Sequence, residues 1–249
     1  MAIDHFVAYN AFPENDLYKH GFPIRFVDDQ ILQSLNKKNE RKHNYTKVVI
    51  GKMDYFAITA TKDGQEKRKI HLAWYPIKET DDKVIGEKKK IKNQLTGEDG
   101  HFIYLDGPVG ILVPTTKDDD PPDDGDTREK HDHYLVYKAH TTQEVIKYDF
   151  KVDDQFLHKR DINLEKKKRP LEFFAVRCSK SKEKPDPDKK PNSTLFNSND
   201  HLAIYKIQEH IFDEFDKKGL KIENQFKNQT IGVGNQVYLF VPTVKSEAD

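Results

Sequence analysis

One five-residue pattern occurs four times along the chain, and it restricts the fold more than any other feature. His5-Phe6-Val7-Ala8-Tyr9, His71-Leu72-Ala73-Trp74-Tyr75, His133-Tyr134-Leu135-Val136-Tyr137 and His201-Leu202-Ala203-Ile204-Tyr205 each set three mostly apolar residues between a His and a Tyr. A second landmark keeps step with the first. Between 21 and 24 residues after each His stands an acid or its amide followed by Gln: Asp29-Gln30, Asn93-Gln94, Asp154-Gln155 and Asn224-Gln225. Val27, Ile91, Val152 and Ile222 lie two positions ahead of these pairs. Each segment closes on a hydrophobic run: Tyr55-Phe56-Ala57-Ile58-Thr59, Gly110-Ile111-Leu112-Val113-Pro114, Phe173-Phe174-Ala175-Val176-Arg177 and Tyr238-Leu239-Phe240-Val241-Pro242. Such self-similarity means one supersecondary unit used repeatedly, with neighbours burying a shared core.

The four segments are of two types, in the order A-B-A-B. The first and third share Asp-His-aromatic and Asp-Asp-Gln, whereas the second and fourth share His-Leu-Ala, Asn-Gln and the ending Val-Pro-Thr-x-Lys. His5 to His133 spans 128 positions and His71 to His201 spans 130, so an AB pair was duplicated whole. Short apolar runs between polar turns predict an all-β protein with about four strands per unit. In the last unit the strands are expected over 201–207, 219–224, 229–233 and 236–241, with Gly234-Asn235 as a hairpin turn. Asp63-Gly64 and Asp99-Gly100 are further turn signals. About eight strands per AB pair suffice for a sandwich or barrel. The expected organisation is therefore two tandem β-sandwich or barrel-like domains, 1–117 and 131–245, joined by an Asp/Pro-rich linker at 118–130. Residues 182–199, with Pro185, Pro187 and Pro191, read as a long surface loop, and 36–47 as a lengthened hairpin.

Composition narrows the function classes. Lys plus Arg and Asp plus Glu number 42 each, so no net field draws the chain to nucleic acid or to an anionic membrane, and neither is an expected partner. Cys178 is a single cysteine, which excludes an internal disulfide and favours a reducing compartment. The opening residues lack the basic and apolar regions of a signal peptide, and no stretch is apolar for long enough to span a bilayer. A cytoplasmic protein is expected.

The same residues resemble a family of largely uncharacterised bacterial and archaeal proteins with tandem units of the form His-Phe/Leu-x-Cys-Tyr-Lys, Asp/Asn-Gln-Phe and Leu-Leu-Cys-x-Pro. The resemblance covers all four units and is clearest at 133–139, Asp154-Gln155-Phe156, 201–207 and Asn224-Gln225-Phe226. It implies secretion and one cysteine pair per unit in the family, and it implies no activity. This chain departs at every cysteine. The first falls on Ala8, Trp74, Val136 and Ile204, the second on Ile58, Leu112, Val176 and Phe240, all apolar. Such a change exchanges a covalent constraint, typically ~2–4 kcal/mol, for hydrophobic packing. Cys178 lies two residues beyond its pairing position and reads as a solitary strand-end thiol.

No catalytic residue, metal ligand or cofactor site emerges. The recurring His and Asx-Gln residues are read as parts of the fold that hydrogen-bond locally, because the same residue in every copy reports the unit itself. His131-Asp132-His133 with His140 lacks a completing ligand set for zinc, and the Asp-rich linker places Pro122 where a calcium loop needs a ligand. No Gly-x-Ser-x-Gly, Walker or dinucleotide motif is present. The basic runs at 87–90 and 166–169 have acidic neighbours and read as solvated hairpins. Three sequons, at Asn44, Asn192 and Asn228, matter only for an exported protein. The expected function is a non-enzymatic structural or interaction protein that binds a protein partner or itself through duplicated surfaces. The second reading is a carbohydrate-binding or hydrolytic β-sandwich with Trp74 and Tyr75 as sugar platforms, although Trp74 occupies a slot that other units fill with apolar core residues.

Overall fold

The computed structural model describes residues 5–14, 24–37, 45–60, 71–80, 86–117, 133–154, 156, 160–166, 170–184, 200–208, 217–224, 226 and 228–247. The chain is all-β, with one short helix among the described residues. In order the elements are β1 (His5–Pro13), β2 (Ile24–Asp29), α1 (Gln30–Lys37), β3 (Tyr45–Ile50), β4 (Tyr55–Ala60), β5 (His71–Thr80), β6 (Glu87–Lys92), β7 (His101–Lys117), β8 (His133–His140), β9 (Asp149–Val152), β10 (Arg160–Asn163), β11 (Leu171–Ser181), β12 (His201–Lys206), β13 (Lys217–Asn224) and β14 (Asn228–Glu247).

Eight strands close a circuit. Within each segment the first strand pairs with the last: β1 with β4, β5 with β7, β8 with β11 and β12 with β14. The last strand of each segment then pairs with the first of the next: β4 with β5, β7 with β8, β11 with β12, and β14 back to β1. Every pairing is antiparallel. Closure satisfies the backbone hydrogen bonds of the circuit strands without leaving an open edge.

The remaining strands attach to the ends of this circuit. The β2–β3 hairpin reaches β11 through β2 and β5 through β3. β6 pairs with the first half of β7 and with the end of β14, while β13 pairs with the first half of β14 and with the end of β7. β9 and β10 form a separate two-stranded hairpin, tied to β12's end by the Leu164–Ile207 bridge.

These attachments bury circuit strands on both faces. All five residues of 71–75, 133–137 and 201–205 are buried, which is why the sequence shows apolar runs there rather than alternation. One face contributes Phe6, Leu72, Tyr134 and Leu202, then Ala8, Trp74, Val136 and Ile204, to a cluster enclosed by the circuit. The opposite face carries Val7, Ala73, Leu135 and Ala203 into the larger core under the hairpins.

Two expectations are corrected. Strands of residues 5–117 and 133–247 belong to one sheet, through β1–β14, β7–β8, β2–β11, β13–β7 and β14–β6, rather than to two separate sandwiches. The reason is that the strands of 5–117 alone would leave edges at β1 and β7 unpaired, and β14 and β8 of 133–247 satisfy them. The expected turn at Gly234-Asn235 is absent: β14 runs unbroken through it. Gly234 is not in the left-handed region, and it is small because a Cβ there would lie 2.9 Å from the Phe12 ring. The connection from β2 to β3 begins with α1, which buries Ile31, Leu32 and Leu35 on one face; of the expected lengthened hairpin, 36–47, residues 36–37 end α1, 45–47 open β3 and 38–44 lie outside the described residues. The Asp99-Gly100 turn is formed, with Gly100 at φ +69°. The linker 118–130, Asp63-Gly64 and most of the 182–199 loop lie outside the described residues.

Candidate functional site

The four His side chains all project from the face that carries the larger core, but their surroundings differ. His5 is half-buried, and its Nε2 lies 2.7 Å from Gln94 Nε2. His71 is fully buried, 3.5 Å from Thr59 Oγ1 and edge-on to Phe56. His133 and His201 are buried at the ends of β8 and β12, and neither nitrogen of His201 meets a hydrogen-bond partner among the described residues. Local hydrogen bonding in every copy, as expected from the sequence, therefore fails at His201, which packs against Phe174 instead. Burial pulls both His133 and His201 down to about 3, helped by Lys180 beside the first and by Lys245 and Arg177 beside the second. Held neutral and enclosed, these rings are too weakly basic for general-base work at neutral pH.

The Asx residues do more than cap turns. Each accepts, through Oδ1, the amide two residues on: Ile31 N to Asp29 at 2.7 Å, Leu95 N to Asn93 at 2.8 Å, Phe156 N to Asp154 at 2.7 Å and Phe226 N to Asn224 at 2.9 Å. The other side-chain atom reaches the Tyr of the segment two places away in the circuit. Tyr137 and Tyr9 donate to Asp29 Oδ2 and Asp154 Oδ2, both at 2.6 Å. In the other two segments the polarity is reversed, and Asn93 and Asn224 donate through Nδ2 to Tyr205 and Tyr75 at 3.0 and 2.9 Å.

This reversal accounts for the two sequence types. An amide has a second N–H to satisfy, and Thr243 Oγ1 and Thr115 Oγ1, from the Val-Pro-Thr endings, accept it at 2.9 and 3.4 Å. Those hydroxyls in turn donate to the Val241 and Val113 carbonyls. A carboxylate has no such proton, and the strand neighbour of Asp29 is Cys178, whose thiol is a weak donor and a weak acceptor. Cys178 is thus not a strand-end thiol. It is buried within β11, in the place that Thr115 takes beside Asn224. Burial raises Asp29 to about 6, against the lowering effect of the Tyr137 hydroxyl and two backbone amides.

Register also refines the positions that the resemblance assigns to cysteines. Trp74 faces Leu112 and Ile204 faces Phe240. Ala8, however, faces Ala57, and Val136 faces Ala175, each one residue before the position expected.

One end of the enclosed cluster is the most ligand-like feature. Tyr55, Trp74, Phe173 and Tyr238 converge there from four different strands, with ring centroids 5.0–6.0 Å apart. Trp74 is large because its neighbour is small: a Cβ on Gly110 would collide with the indole, and Gly110 stands where the other segments have Tyr55, Phe173 and Tyr238. Tyr238 donates to Glu172 Oε2 at 3.2 Å, while Lys138 and Lys206 lie 4.8 Å from the Phe173 and Tyr238 ring centres. Burial raises Tyr55 and Tyr238, so both phenols stay protonated. Tyr55, Phe173 and Glu172 are half-exposed, giving a partly accessible aromatic surface beside a carboxylate. Trp74 and Tyr75, at 3% and 0% exposure, are core residues and offer no sugar platform.

Of the remaining sequence candidates, His131, Asp132, Asn44, Asn192 and the 167–169 run lie outside the described residues. His133 and His140 project from opposite faces of β8, and exposed His140 sits 3.7 Å from Asp106. Among the described residues no group of three His, Cys, Asp or Glu side chains is placed to hold a metal, and no helix is long and apolar enough to cross a membrane. Comparison with known proteins finds no matching family model, curated protein or solved structure.

Proposed function

We propose that the chain is a non-enzymatic interaction protein, a four-unit A-B-A-B repeat closed into one frame that carries binding surfaces on its outer strands. In this reading the AB halves, 1–117 and 131–245, each supply half of the circuit, and the likeness to the cysteine-containing family reflects the same unit with its disulfides replaced by packing. One observation carries the proposal: recurring residues are buried and hold the frame, whereas solvent-facing residues at matching places differ. His101 and Gln229 occupy matching places, opposite Ile91 and Ile222. The next residue facing away from the core is then Phe102 in β7 but Thr230 in β14, whereas at the place matching Tyr104 the chain has Gly232, buried under Phe12. Different side chains on a common frame are what binding specificity requires.

Closure constrains how such a protein associates. Circuit strands have neighbours on both sides, so strand addition to them is blocked, and association falls to side-chain surfaces or to the strands outside the circuit. Light scattering coupled to size-exclusion chromatography over a concentration series, together with pull-downs read by mass spectrometry, tests the proposal. A strict monomer that retrieves no partner counts against it. The aromatic end supports a second reading, sugar binding, by stacking on Tyr55 and Phe173 with Glu172 accepting hydroxyl protons. Glycan-array binding that vanishes in Phe173→Ala with unchanged melting is its signature.

A further inference from the structure

Strand β6 reads Glu87-Lys88-Lys89-Lys90-Ile91-Lys92, and in the linear sequence its acid offsets part of the basic run. The pleat separates these charges. Glu87 and Lys89 point inward and form an ion pair, Nζ to Oε1 2.9 Å, with Lys89 only 1% exposed. Lys88, Lys90 and Lys92 stand together on the outer face, without a carboxylate from their own strand. Across the ladder, Lys90 lies opposite Phe102 and Lys88 opposite Tyr104, whose other neighbour is His140. Lys88 Nζ is 4.1 Å and Lys90 Nζ 5.6 Å from the Phe102 ring centre, and Tyr104 stacks on His140 at 5.4 Å. The acid on the β7 part of this face, Asp106, faces His140.

We propose that this outer face of β6, β7 and β8 binds single-stranded nucleic acid, an inference that rests on the interaction reading and names its partner class. Charge complementarity selects a polyanion: β6 places three lysines on this face, and among the described residues of β6 to β8 the acid that shares it is Asp106, which faces His140. The aromatics favour nucleic acid over a sulfated polysaccharide. Phe102 and Tyr104 are alternate residues of one strand, about 7 Å apart, and lie beside the lysines on the same face of the sheet, so bases stack while ammonium groups meet phosphates. Stacking a base on an aromatic ring outweighs the exposed cation–π contact that it replaces, which frees Lys88 for a phosphate. The frame does not itself demand a ring at Phe102, since β14 carries Thr230 in the matching place.

The test is fluorescence anisotropy of the full chain with a labelled oligothymidylate of about 15 nucleotides, over a range of salt. Binding should weaken with salt, and Lys88→Gln or Lys90→Gln should each reduce the salt slope by about 0.7–1. Phe102→Thr should weaken binding by about 5- to 150-fold at unchanged melting temperature. The inference is overturned by absence of binding at low salt, by an unaffected Phe102→Thr variant, or by heparin binding without oligothymidylate binding. If the oligonucleotide fails while the pull-down recovers a protein complex, this inference falls and the interaction reading stands.

Discussion

A single proton separates the two kinds of Tyr contact. Asp29 accepts from Tyr137 and needs no further partner on that side, whereas Asn93 and Asn224 must place two N–H groups and do so with a Tyr and a Thr. Asp29→Asn is therefore expected to cost ~1–3 kcal/mol, because the amide's second N–H faces Cys178 and stays unsatisfied. Adding Cys178→Thr should recover most of that loss, and a double-mutant cycle by urea denaturation measures the coupling. Titration behaviour follows from the same burial. His133 and His201, held at about 3 when folded, take up protons first in the unfolded chain, so their contribution is complete above about pH 6.5 and is lost as pH falls toward 3. Asp29, raised to about 6 from 3.8, has the opposite sign: it favours the fold below 3.8 and loses that contribution as pH rises through 6. By pH 5 each histidine should cost about 2 kcal/mol, with roughly 1 kcal/mol returned by Asp29, so net stability falls on acidification. Denaturation midpoints at pH 7 and 5 check this, and His201→Leu should flatten the difference. The recurrence of His, Asx and Tyr was legible because each copy repeats it. Their long-range pairing was not, since Tyr137 and Asp29 stand in segments that share no sequence neighbourhood, although the coincidence of Asn with Val-Pro-Thr was a readable trace of it.

At the level of strands, the hydrophobic runs were legible and their boundaries were not. Gly234-Asn235 carries turn chemistry in its letters, but the space needed by Phe12 and the pairing with β1 on both sides decide the outcome: the two residues take up a shift of register between the Tyr9–Gln236 and Ala11–Val233 pairs instead of reversing the chain. Likewise α1 follows from the cap at Asp29 and the spacing of Ile31, Leu32 and Leu35, a helical period too short to stand out in a β-rich sequence. Packing between β5 and β7 is a matter of matched volume. Gly110→Ala should destabilise by ~1–3 kcal/mol through its clash with Trp74, while Trp74→Val combined with Gly110→Phe, the pair used at Val136 and Phe173, should retain the fold. Calorimetric melting distinguishes the two variants. Directly opposed strand residues also fall within disulfide reach. Ala8→Cys with Ala57→Cys should therefore form a bond on oxidation and add ~2–4 kcal/mol, read as a midpoint shift reversed by reductant, whereas Ala8→Cys with Ile58→Cys should not.

For the molecule as one object, the question is which edges find each other, and composition and period carry no information on that. Four segments of similar pattern can close as two pairs or as one circuit of four. The circuit forms because the free edges of one half match those of the other, as β7–β8 and β1–β14 show. Residues 1–117 and 131–249 expressed separately are accordingly expected to give poorly dispersed amide spectra, and mixing them should restore dispersion. Two independently folded halves would contradict the closed arrangement.

The joining of β14 to β1 has a consequence for how the protein is made. β14 is the last described strand to leave the ribosome, yet it is the seam for β1, β6, β12 and β13. Until it emerges, those earlier strands wait with unclaimed hydrogen-bonding edges. Maturation must be late and abrupt rather than stepwise, and sheltering of the nascent chain matters more here than in a protein whose first half can settle before its second is synthesised.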